Sequence, residues 1–300
     1  MVRSIKIGVQ LPEVEREVGW TEIRRIALAA EDTGLDSVWV GDHLLFRDEM
    51  TGTRGPWEAW SLLAALAEAT ERVKLGPLVA ATAFHSPAML AKKAATVDEI
   101  SGGRLILGLG AGWHRPEFDA FGLPYDHRVS RFEEAFTVIR TLIREGSIDF
   151  EGRFYTLREM ELLPRARPDM KLMVGSNGPR MLRITTPHID LWNTWHVWFG
   201  NRAEGLGPLV SELEAACVEV GRDPSEVGRT AAVYVGLSRG KGRVSGSEDR
   251  PDAPPISGSH AEIAGELARF AEVGVSHLQV VLDPIDEAAV EELAEIVALI

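Results

Sequence analysis

Apolar positions along this chain fall into two alternating rhythms. Short unbroken apolar runs end at a glycine or a polar pair, and between them lie longer stretches in which apolar residues return every three or four positions. Residues 5–11 form the first run. Residues 21–33 form the first amphipathic stretch, with Ile23, Ile26, Ala27 and Ala30 at helical spacing and Gly34 placed as a left-handed stop. The second run, Val38, Trp39 and Val40, reads as a strand covered on both faces, and it stops at Gly41 before presenting Asp42 and His43. A helix opened by Pro56 and Trp57 follows, with Trp60, Leu63, Ala64 and Ala67 on one face, and then a strand over 73–79. Ser86 and Pro87 open a helix to Ile100, with proline at a position where its missing N–H costs nothing. A strand over 104–109 and a helix over 130–145 complete the first half.

Residues 149–163 interrupt the rhythm with hairpin character, Phe150, Phe154 and Tyr155 lying around Gly152. Strands over 171–174, 191–194, 229–237 and 277–282 then alternate with helices. These start at Gly178 and Pro179, run over 205–220 and 263–272 (the latter behind a capping box of Ser259 and Glu262), and end in a helix opened by Pro284. Val290, Leu293, Val297 and Ile300 form its buried stripe. Strand and helix alternate at spacings of roughly thirty residues, the signature of βαβ units and a parallel sheet. The fold class expected is α/β: a single (β/α)8 TIM barrel over 1–300 with insertions in the C-terminal-face loops, an open doubly wound sheet being the alternative. Substrate-shaping loops fall at 44–55, 113–126 and 239–255. The last is rich in Gly, Ser, Pro and charge and reads as a long mobile loop.

Composition narrows the function. The 300 residues are 45% hydrophobic and 26% charged, ample for a packed core. A formal net charge of -13 argues against a phosphate-backbone partner and against an anionic membrane. Cys217 stands alone, so neither a disulfide framework nor a cysteine metal site is expected. The start shows no signal-peptide core and no run approaches the roughly 18 apolar residues of a membrane span, so a cytoplasmic protein acting on a small molecule is expected.

Candidate chemistry collects at strand ends. Asp42 and His43 follow the second strand, the end of a parallel barrel where active sites gather, although a histidine there can also be an ordinary loop residue. Gly108-Leu109-Gly110-Ala111-Gly112-Trp113 has GxGxG spacing, and His114-Arg115-Pro116 does not open a helix at once, so it is no Rossmann fingerprint. Its glycines either let a flat or phosphorylated ligand approach the backbone or merely make a tight turn. Gly175-Ser176-Asn177-Gly178 precedes a helix start, where backbone N–H groups favour a phosphate; Ser176 or Asn177 could instead cap that helix. Pro77 in an apolar strand signals a disruption near the barrel mouth. Trp113, Trp192, Trp195 and Trp198 suggest an aromatic-lined cavity. No HExxH, GxSxG, P-loop or EF-hand pattern occurs and no metal site is expected. His85, His188, His260 and His277 read as surface or structural, and Asp283 and Asp286 as helix-start carboxylates.

Four motifs in order, Ser37 to His43, Leu75-Gly-Pro-Leu-Val79, Ser101 to Trp113 and Val174 to Leu182, resemble the bacterial luciferase-like flavin and deazaflavin superfamily, most closely its coenzyme F420-dependent oxidoreductases. The resemblance implies F420 at the C-terminal mouth, with FMN the alternative, and a homodimer as the expected assembly. It also implies a non-proline cis peptide at Leu78-Val79 propping the cofactor ring. Gly110, Ala111, Gly112 and Trp113 would lie beside the cofactor, and Gly175, Ser176, Asn177 and Gly178 on its phosphate side. His43 would be the proton-exchanging residue, tuned by Asp42. Sugar-phosphate dehydrogenases of this group carry glutamate where this chain has Trp113, and a tryptophan where it has Arg47. The reaction implied is hydride transfer between F420 and a small organic substrate. An FMN-dependent monooxygenase is the alternative enzyme, and a non-catalytic flavin-binding barrel subunit is the alternative of another class.

Overall fold

The computed structural model describes residues 4–48, 52–242 and 253–300. Eight parallel strands make the wall of a barrel: β1 (Lys6–Gln10), β2 (Ser37–Val40), β3 (Lys74–Pro77), β4 (Ile106–Gly110), β5 (Lys171–Gly175), β6 (Leu191–Trp195), β7 (Gly228–Gly236) and β8 (Val275–Asp283). Their order around the wall is β3-β2-β1-β8-β7-β6-β5-β4. A parallel bridge between Leu75 and Leu105 joins the two ends, and a second piece of the third strand, Ala80–Ala81, pairs with β4. The expected disruption at Pro77 is therefore real: the third strand is built in two pieces, and the bond between Leu78 and Val79 is cis.

Helices α1 (Trp20–Asp32), α2 (Ala59–Ala69), α3 (Pro87–Ile100), α4 (Arg115–Phe121), α5 (Arg128–Arg144), α6 (Pro179–Thr185), α7 (Gly207–Glu219), α8 (His260–Glu272) and α9 (Glu287–Val297) surround the wall. The apolar run of each strand splits between two cores. Residues such as Val38, Leu107 and Val280 pack outward against the helices, while Trp39, Ile106, Met173 and Ala232 fill the barrel interior. Arg104 fastens the far end: its guanidinium donates to the carbonyls of Ala67, Thr70 and Val73, satisfying groups at the end of α2 that have no partner within the helix. No described helix is long and apolar enough to cross a membrane.

Local chemistry moves several expected boundaries. α2 starts at Ala59, after Pro56 and Trp57, because the Glu58 carboxylate accepts from the N–H groups of Trp60 and Ser61. α9 starts beyond Pro284, capped by Asp286 through Ala289 N. Asp283 caps no helix; its carboxylate accepts from Gly242 N at 2.6 Å. α4 occupies a stretch expected to be loop, with Pro116 in its first turn, so a helix does follow His114 directly. The expected hairpin is present as Ser147–Glu151 against Thr156–Glu161, and the Ser259–Glu262 capping box has both its bonds. Within the expected mobile loop, 243–252 lie outside the described residues.

His277, expected to be surface or structural, is buried inside the barrel. Trp39 Nε1 donates to Ser37 Oγ at 2.7 Å, and Ser37 Oγ is hydrogen-bonded to His277 Nε2, also at 2.7 Å. Gly8 leaves room for this chain, since a Cβ there would lie 1.9 Å from Ser37 Oγ. Burial, with a smaller push from Lys6, lowers the pKa to about 3. Between about 3 and the ordinary value near 6.5 the unfolded chain binds a proton that the folded chain refuses, so stability rises with pH across this window. Urea unfolding measured against pH is expected to lose about 1.4 kcal/mol per pH unit from this group on acidification. In His277→Gln that slope is expected to flatten; an unchanged slope would place the acid sensitivity elsewhere.

Candidate active site

The C-terminal ends of the strands surround a cavity of about 660 Å³. Asp42 and His43, Leu78 and Val79, Gly110 to Trp113, and Gly175 to Gly178 all line it, so the four segments singled out in the sequence meet at one place. Trp195 and Trp198 line it as well. Trp192 does not: it is buried toward the helices, and its indole N–H donates to the Ser176 carbonyl at 2.8 Å.

The glycines have a specific neighbour. A Cβ at Gly108 would lie 2.3 Å from the Pro77 carbonyl oxygen and 3.0 Å from Val79 Cγ1, one at Gly110 2.7 Å from Val79 Cγ2, and one at Gly175 3.2 Å from both methyls. The side chain that leaves the third strand thus rests on bare backbone of β4 and β5. In this structure these glycines accommodate Val79, a use beyond the ligand approach or tight turn expected of them. Gly112 (φ +75) turns the chain from β4 toward α4, with the Phe118 ring 2.9 Å from where a Cβ would stand.

His43 lies between two carboxylates. Its Nδ1 donates to Glu117 Oε1 at 2.7 Å, and its Nε2 is 4.0 Å from Glu13 Oε1. The Glu117 carboxylate is fully buried, and its Oε2 accepts from Leu44 N at 2.5 Å. Glu13 Oε2 accepts from Gln10 Nε2 at 2.9 Å, and Gly41 leaves the space its carboxylate occupies. Burial alone would lower the pKa of His43; the charge of Glu13, the bond to and charge of Glu117, and lastly Asp42 outweigh it and hold the imidazole above its ordinary value. A proton held more tightly in the folded chain stabilises the fold below about pH 6.5, and that stabilisation fades as pH rises through the folded value.

Asp42 was expected to tune His43, and its part in that is the smallest of the three carboxylates. Its Oδ2 accepts from Ala81 N and from His85 Nε2, both at 2.9 Å. His85, read from the sequence as surface or structural, is thus a structural residue with a defined partner. On the other side of the cavity, Asn177 Nδ2 donates to Thr194 Oγ1 at 3.0 Å, and α6 is preceded by Gly178 with no side-chain cap. Neither Ser176 nor Asn177 is spent as a helix cap. Arg128 also lines the cavity, and its guanidinium is stacked 3.8 Å over the Tyr125 ring. Glu13, Glu117 and Arg128 were not singled out in the sequence. Pro116, suited to a first helical turn, was the one local sign that Glu117 stands on a helix.

The family model described as luciferase-like monooxygenase matches residues 5–241. The chain belongs to the luciferase-like monooxygenase family. Pyrimidine monooxygenase RutA of Methylorubrum populi is 33% identical over 217 residues, which cover 67% of this chain and 55% of that protein. An F420-dependent glucose-6-phosphate dehydrogenase of Amycolatopsis mediterranei is 34% identical over 181 residues, 58% of this chain and 53% of that protein. The chain spans about half the length of the curated relatives it matches. Among solved structures, an F420-dependent secondary alcohol dehydrogenase in complex with an F420-acetone adduct superposes with a TM-score of 0.80 at 21% identity, covering 98% of both chains. That likeness bears out the TIM-barrel fold.

In this luciferase-like chain the Val79 seat is open to a direct test. Gly110→Ala places a methyl against Val79 and is expected to cost about 1 to 3 kcal/mol in urea unfolding, the usual range for overpacking. Adding Val79→Ala removes the obstructing methyls, so the double variant should be more stable than the two single costs predict. Strict additivity would show that Gly110 accommodates something other than Val79.

Proposed function

We propose that this chain is an F420-dependent oxidoreductase that transfers hydride between the deazaflavin and a small organic substrate. The observation that carries the reading is the meeting, in one cavity, of Val79 seated on three glycines with His43 held between Glu117 and Glu13. The cavity has the volume of a small-molecule site, typically about 300 to 1,000 Å³, and its walls are largely apolar and aromatic. These features fit a flat ring: Leu78 and Val79 offer it an apolar support, and Gly110 to Trp113 a border with little side-chain bulk before the indole. Ser176, Asn177, the N–H of Gly178 and the Arg128 guanidinium supply hydrogen bonds and charge for a phosphate.

When bound, the deazaflavin supplies the carbon that exchanges hydride. The chain's own residues do the rest. His43 Nε2 gives or takes the accompanying proton, Glu13 and Glu117 favour the charged imidazole, and Trp113, Trp195 and Trp198 help exclude water. A second reading, an FMN-dependent monooxygenase, draws support from the RutA relative, whose similarity extends over more of this chain than that of the F420-dependent dehydrogenase.

Tryptophans at the cavity make the cofactor measurable. Titration of the purified chain with F420 and with FMN, read by intrinsic fluorescence, is expected to show tight binding of F420 and weak binding of FMN; the reverse order would transfer the reading to the monooxygenase. Ser176→Ala is expected to raise the F420 dissociation constant roughly tenfold through loss of a hydrogen bond to a charged group. His43→Asn is expected to leave that constant within a few-fold of the original and to slow hydride transfer at least about 100-fold in stopped-flow absorbance. Transfer at the unaltered rate would reduce His43 to a loop residue.

A further inference from the structure

Glu117 is a carboxylate with no accessible surface, set in the first turn of a two-turn helix. Among the described residues its one ion-pair partner is His43, and its remaining bonds come from the backbone N–H groups of Leu44 and Leu45, at 2.5 and 3.4 Å. One side chain of α4 therefore does two things at the end of β2. It ties down the two residues that follow His43, and it takes the Nδ1 proton of the ring. A carboxylate accepts and does not donate when ionised, so Nδ1 must carry hydrogen in both charge states of His43. The proton that comes and goes is then the one on Nε2, the nitrogen 4.0 Å from Glu13 Oε1, and Glu13 lines the cavity together with His43.

We propose that Glu117 is the positioning residue of this site: it fixes the tautomer and orientation of His43 so that Nε2 alone exchanges protons with whatever the cavity holds. The inference rests on the reading of His43 as the proton-exchanging residue. The arrangement follows the general logic by which a buried carboxylate orients an imidazole whose other nitrogen does the chemistry. The other groups facing His43 cannot substitute. Glu13 lies on the Nε2 side, and Asp42 is engaged by Ala81 N and His85. The neighbouring rings are Phe46, at 4.5 Å, and Trp113, at 5.8 Å; His114 stacks on Phe46.

The test is nitrogen NMR of the full chain carrying 15N-labelled histidine, free of cofactor, titrated with pH and assigned by loss of signal in His43→Asn. The original chain is expected to show Nδ1 protonated throughout and only Nε2 titrating. In Glu117→Gln the strict Nδ1–H preference is expected to be lost and the midpoint to move down. Glu117→Asp is expected to restore part of both, which a purely structural role would not do; it also serves should the glutamine variant not fold. An unchanged tautomer and midpoint in the folded variants would overturn the proposal. Because no turnover enters this measurement, its failure is separable from that of the oxidoreductase reading. A chain with the expected NMR pattern in which His43→Asn still transfers hydride at full rate would keep Glu117 as the orienting group and remove the catalytic role of His43.

Discussion

A closed barrel has no edge at which to leave backbone unpaired, so a residue turned out of its ladder must have its polar groups satisfied by something else. The third strand is where this chain meets that demand. Leu78 N still reaches the carbonyl of Val40, the last bond to β2. Beyond it the strand swings to β4, and Ala81 N, with no ladder partner on the β2 side, is taken by the Asp42 carboxylate. Thr82 Oγ1 then donates to the Gly110 carbonyl. Asp42 is in effect a side-chain continuation of β2, and it allows Val79 to leave the wall and enter the mouth.

The rest of the mouth is arranged around that departure. Val79 needs space where two neighbouring strands would ordinarily project side chains, and Gly108, Gly110 and Gly175 provide it from β4 and β5. Glycine in a strand interior weakens the strand, since it brings no side chain to pack and loses more entropy on folding. Three of them around one valine are a concession that the buried outer faces of β4 and β5 sustain, through Leu107, Leu109, Leu172 and Val174. The motifs that look like ligand-binding loops are therefore, in part, a socket for one of the chain's own residues.

This explains what the sequence could and could not reveal. The alternation of apolar runs and amphipathic stretches is local information, and it sufficed for all eight wall strands and their parallel order. The glycines, Pro77 and the Asp42-His43 pair are also local signals, and each marks a place where the backbone departs from regularity. Partners are another matter. Glu117 sits 74 positions from His43, in a stretch without apolar period, and only the closure of the barrel makes them neighbours. The same holds for Asp42 with His85 and for Ser37 with His277: nothing at the histidine predicts which carboxylate or hydroxyl the fold will bring. Trp192 shows the converse, a residue at a strand end whose side chain the alternation of the strand sends outward.

Two imidazole–carboxylate pairs lie within one mouth, and their surroundings assign them different work. In the first, His85 and Asp42 expose 9% and 2% of their side chains, and the carboxylate also carries a backbone bond of the broken strand. That pair is sealed, and disturbing it would release Ala81 N. In the second, Glu117 is fully enclosed while His43 keeps 21% of its side chain open. A ring anchored at one nitrogen by a buried carboxylate, with an exposed edge beside a second carboxylate, has the asymmetry that proton exchange requires: one face fixed, the other reachable. Exposure, more than proximity to a carboxylate, separates the histidine that holds the wall from the one proposed for the chemistry.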